Sequence, residues 1–138
     1  MALEPRIIAG VSSCGDWPAR LSKNPFNHAR TGWWVGRPFL RPYCYTGKPF
    51  PIDLHDYLAL AAPRSIMPIN ALNDFSYSLD EAPLTRPIME AMAKSVSRIF
   101  ALYGVQSNFQ QILHEEKHSF HEGQRNTAYT FLKNKLGL

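Results

Sequence analysis

The residues best suited to chemistry lie near the end of the chain, where His114-Glu115-Glu116-Lys117-His118 is followed by Ser119-Phe120-His121. The first five satisfy H-E-x-x-H, which on a helix turns two imidazoles to one face to hold zinc, with the glutamate as general base. A helix can be drawn here, since Phe109, Ile112, Leu113, Glu116 and Phe120 fall on one stripe. A catalytic zinc needs a third protein ligand, however, and Glu122 is the one carboxylate after His118. No metal or other cofactor is therefore expected, and zinc hydrolysis through this motif stands as the lesser alternative.

The same histidines suit proton transfer. An imidazole bonded to a carboxylate is fixed in one tautomer, and the imidazolium that forms on taking a proton from a nucleophile is stabilised. Asp74, beside Asn73 in a polar break, is a candidate for that carboxylate. Residue types alone also allow a blander reading, in which Asp74 caps a turn and His118 sits on a solvated loop.

A nucleophile is harder to find. A G-x-S-x-G turn exposes a serine hydroxyl between strand and helix. The nearest match is Gly10-Val11-Ser12-Ser13-Cys14, in which Cys14 replaces the last glycine and Pro18 interrupts any helix that would follow. Ser12 stays a weak nucleophile candidate, in the permissible order Ser, Asp, His. Cys14 is weaker still, because nothing nearby in sequence activates its thiol. His55, Trp33 and Trp34 could shape a substrate pocket, although a structural hydrogen bond for the first and loop packing for the others are the plainer readings.

These residues must be held by regular elements. Ile7 to Val11 is a short continuous apolar run, as expected of a strand buried on both faces of a parallel sheet. Trp17 to Pro51, rich in proline, glycine and aromatics, predicts a long irregular excursion. Asp53 can cap a helix to about Ala61, Ser65 to Asn70 reads as a second strand, and Thr85 to Tyr103 shows the clearest helical period, stopped by Gly104. Phe109 to Leu113 reads as a third strand and Glu122 to Leu136 as a last helix. Strands alternating with helices indicate a parallel sheet with helices on both faces, the three-layer α/β class. In such sheets ligands gather at the carboxyl ends of the strands, which here means Ser12 to Asp16, Asn73 to Phe75 and His114 to His121.

At 138 residues the chain fits one domain, 1–138, and its 45% hydrophobic and 19% charged composition argues against wholesale disorder. The net charge of +4 is scattered; Arg30 to Lys48 mixes basic and aromatic residues, but without a known nucleic-acid module, so no nucleic-acid partner is expected. Two isolated cysteines make no disulfide framework. Met1 to Gly10 lacks the pattern of a signal peptide, no apolar run is long enough to span a membrane, and the compartment is not legible.

Several stretches resemble the back half of bacterial acetyl-esterase and dienelactone-hydrolase-like α/β-hydrolases. They are Arg6 to Gly15, Ile52-Asp53-Leu54-His55, Leu60-Ala61-Ala62-Pro63-Arg64, Ile69-Asn70-Ala71, Asn73-Asp74, His118-Ser119-Phe120 and Ala128-Tyr129-Thr130-Phe131-Leu132; the segment Trp17 to Pro51 matches only loosely. The resemblance implies a serine-type ester hydrolase acting on a small-molecule ester. Asp74 would be the acid and His118 the base, preferred over His114, which follows the strand too closely, and over His121, which would open the last helix. It also implies that the first strand here follows the elbow strand, so that the nucleophile and oxyanion-hole loop would belong to other sequence and this chain alone would be inactive. The sheet would then expose an edge, which favours oligomerisation or strand exchange. The alternative from another class is a non-catalytic binding domain on the same scaffold, which a wide separation of Asp74 and His118 would favour.

Overall fold

A computed structural model describes residues 1–16, 18, 20, 38–74 and 86–138. Three strands, β1 (Ala9–Ser13), β2 (Ser65–Ala71) and β3 (Ile112–His114), form a parallel sheet in the order β1-β2-β3. Among the described residues four α-helices accompany them: α1 (Arg41–Thr46), α2 (Leu54–Ala59), α3 (Arg86–Leu102) and α4 (Glu122–Leu136).

The central strand β2 is buried at every residue, which explains the apolar run Ile66 to Ile69 at its middle. Alternate side chains leave it on opposite faces. Ile66 joins Leu58 of α2 and Met89, Met92, Val96 and Phe100 of α3, whereas Met67 and Ile69 pack against Ala128 and Phe131 of α4. The sheet is thus covered on both sides, as the alternation of elements predicts. The four inward residues of α3 are each essentially inaccessible, and burying side chains of this size contributes about 1.5–3 kcal/mol apiece. Gly104, at φ 69°, ends α3 by returning its N–H to Ala101 O at 2.9 Å.

Asp53 caps α2. Its carboxylate accepts from Leu54 N and from Arg20 N, both at 2.7 Å, while Asp56 returns a bond to Asp53 N at 2.8 Å. This reciprocal cap lets a helix of only six residues persist.

Three boundaries differ from the sequence expectation, each for a physical reason. The first strand begins at Ala9 rather than Ile7, because Ile7 and Ile8 precede the register that pairs Ala9 with Ser65, and both are exposed. The excursion 17–51 is not wholly irregular: α1 lies within it, with proline in its first turn and closed by Gly47 in the left-handed conformation at φ 63°.

The third boundary is set by Pro68. Gln110 N donates to Ile66 O, so the even-numbered residues of β2 face β3, and Pro68 has no N–H to offer there. Phe109 accordingly makes only an isolated bridge to Ile66, and the regular ladder resumes with Ile69 paired to Ile112. The third strand is three residues long instead of five.

Candidate active site

The carboxyl ends of all three strands meet at one rim. Beyond β2, Leu72 N donates to His114 O at 2.8 Å, and the Asn73 side-chain amide donates to Glu115 O. These bonds tie the turn carrying Asp74 to the segment that follows β3. That segment, residues 115–121, runs through bends and extended backbone until His121 caps α4. Glu116 organises it, accepting from Ser119 Oγ at 3.2 Å and Gln124 Nε2 at 3.1 Å. Phe120 anchors it by packing against the cluster of Met67, Ile69, Ala128 and Phe131.

Held in this way, His118 Nδ1 lies 2.6 Å from Asp74 Oδ2. The Asp74 side chain is wholly buried, while that of His118 is 56% exposed. A buried carboxylate bonded to one ring nitrogen fixes the tautomer and orientation of a half-exposed imidazole. The wide separation that would have favoured a purely scaffolding role is not found.

The zinc motif does not assemble as a helix. His114 is the last residue of β3 and residues 115–118 form bends, so the two histidines do not share a helical face. Both ring nitrogens of His114 are buried without a hydrogen-bond partner.

Ser12 lies within β1, opposite Pro68, rather than at a turn between strand and helix. Its hydroxyl bonds the carboxyl of Asp16, three residues beyond the strand, and an added Cβ at Gly15 would come within 2.8 Å of Ser12 Oγ. Burial holds the Asp16 carboxyl above the usual carboxylate range, opposed in part by the Ser12 bond, and its Oδ2 has no partner. Asn70 Nδ2 donates to Asp16 O at 3.3 Å, fixing this turn to the end of β2.

Sequence reasoning discounted Cys14, yet it lies closer to the pair than its motif suggested. It is buried, takes a φ of 50°, and donates its N–H to Ile69 O at 2.7 Å. Its Sγ, one Asp74 carboxylate oxygen and one His118 ring nitrogen all lie within 4.8 Å of one another. The available signal was its place directly after a strand whose end shares the rim with Asp74.

His55 belongs to a different place. It lies on α2, 3.6 Å from both Asp53 and Asp56, and with Arg20, Ile99 and Tyr103 lines a groove of about 600 Å³ between α2 and α3 that includes neither Asp74 nor His118. Trp33 and Trp34 lie outside the described residues.

No family model and no curated protein matches the chain. Two solved structures resemble it over 99% of its length. One is the methylesterase BT1017, at 19% identity and a TM-score of 0.59, of which the chain covers 26%. The other is a carbohydrate esterase family 15 glucuronoyl esterase from Caldicellulosiruptor kristjansonii, at 16% identity and a TM-score of 0.69, of which it covers 39%. The chain therefore spans well under half the length of either. At these identities the likeness establishes the backbone arrangement, a three-stranded parallel α/β fold of the kind found in esterases.

Proposed function

We propose that this chain supplies the acid and the base of a Ser-His-Asp ester hydrolase, with the serine contributed by sequence outside it. The observation that carries this reading is the 2.6 Å bond between a wholly buried Asp74 and a solvent-facing His118 at the carboxyl rim of a parallel sheet. In the proposed reaction Nε2 of His118, the ring nitrogen not bonded to Asp74, takes the serine proton as the hydroxyl attacks the ester carbonyl. Asp74 holds the opposite nitrogen and stabilises the imidazolium. The imidazolium then protonates the departing alcohol, and water, activated by the same imidazole, releases the acid. Because both structural neighbours carry names of sugar-directed or methyl esterases, an ester of a carbohydrate acid is the substrate class to try first.

The test compares hydrolysis of 4-nitrophenyl acetate and of a methyl uronate ester by this chain and by a longer product of its gene that includes a nucleophile elbow. The longer protein is expected to turn over ester and to lose about 10³-fold or more in kcat on His118→Gln. Turnover by the present chain that disappears in Ser12→Ala would overturn the assignment and make Ser12 the nucleophile. An active longer protein indifferent to His118→Gln would overturn the role of the histidine.

A further inference from the structure

Cys14, Asp74 and His118 offer three different metal-binding atoms, and every pair of those atoms is separated by 4.8 Å or less. Some point therefore lies within about 2.8 Å of all three, whereas zinc is bound by sulfur, nitrogen and oxygen at about 2.0–2.3 Å. The inward movement required is less than 1 Å, roughly, per donor. Cys14 is buried beside this pair, its thiol facing Ser119 O at 3.8 Å, so three donors of different chemistry converge on one point.

We propose that Cys14, Asp74 and His118 form a binding site for a thiophilic divalent cation such as zinc or cadmium. The thiolate makes the site prefer soft ions over magnesium or calcium. Its charge, together with the carboxylate, neutralises the dication in a place where Asp74 and Cys14 are both shielded from water. The half-exposed His118 side chain gives the ion a path of entry from solvent. Binding expels the thiol proton and competes with the hydrogen bond between His118 and Asp74. Affinity consequently weakens as the pH falls. Metal binding and proton transfer by His118 are mutually exclusive, so the ion acts as an inhibitor if the chain serves an esterase. The site itself stands independently of that reading.

The test titrates cadmium into the intact, reduced chain and follows the thiolate-to-cadmium charge-transfer absorption in the near ultraviolet, without any ester present. One saturable equivalent is expected. Cys14→Ser should abolish the band and His118→Gln should weaken binding at least tenfold, whereas Cys44→Ser and His114→Gln should leave the titration unchanged. Circular dichroism reports whether each variant folds, and His118→Gln, altering a half-exposed side chain, keeps the test decisive if Cys14→Ser does not fold. No band at millimolar cadmium, a band lost with Cys44→Ser instead, or a folded His118→Gln variant that binds like wild type would each overturn the proposal.

Discussion

Arg86 and Glu115 meet at 2.7 Å, joining the first residue of α3 to the bend directly after β3. Glu115 also accepts the Asn73 amide through its backbone, so one residue fastens both segments that deliver Asp74 and His118 to the rim. The ion pair is open to water on both sides, and such pairs contribute about 0–1 kcal/mol. Arg86→Ala should lower unfolding stability in urea by less than about 1 kcal/mol.

The Nδ1 proton of His118 is held between two heavy atoms 2.6 Å apart. Proton NMR of the chain should show a resonance well downfield of the amide envelope. Asp74→Asn should remove it with the fold intact. A low-field signal unaffected by that substitution would mean that the proton belongs to another pair.

Phe100 is completely inaccessible and meets Phe109 with ring centroids 5.6 Å apart, where α3 packs over the sheet. Truncation removes an aromatic ring from a site with little room to collapse. Phe100→Ala should cost about 3–5 kcal/mol by equilibrium denaturation, enough to unfold a marginal domain.

Asp16 gives the stability a pH dependence of known sign. Its carboxyl keeps its proton to higher pH when folded than when unfolded, because burial disfavours the charge. That contribution is present in full below the ordinary value of 3.8 and is lost as pH rises through the raised folded value. Asp16→Asn should therefore be more stable than wild type at neutral pH, with the advantage vanishing near about pH 3 in parallel urea titrations.

Among the described residues, the sheet order gives β1 one neighbour, β2. We propose that its outer edge pairs with another strand, either from a second copy or from adjoining sequence, since an open edge templates such pairing. Light scattering of the concentrated chain should detect species larger than the monomer. A strictly monomeric solution at high concentration would refute self-pairing.

Much of this arrangement was legible because packing and periodicity agreed. The stripe from Met89 to Phe100 and the apolar run Ile66 to Ile69 of β2 read directly as a covering helix and a central strand. The edges of elements were less legible, for reasons local composition does not carry. Ile7 and Ile8 look like strand but miss the register, and Pro68 interrupts the ladder of a neighbour more than forty residues away, roughly, in sequence. In the site, position after a strand marked the segments that carry Asp74 and His118, and the family resemblance singled out those two residues within them. The nearness of Cys14 was hidden, because a tight turn at φ 50° and not a motif carries its thiol toward the same rim.

Asp74 is sealed from water while its histidine is half open, and this unequal access sorts reagents. Diethyl pyrocarbonate should acylate His118 from outside, while a carbodiimide and amine should leave Asp74 untouched in the native protein. Protons exchanged with solvent reach the pair from the side of the half-exposed imidazole, so whatever packs against that ring controls the traffic.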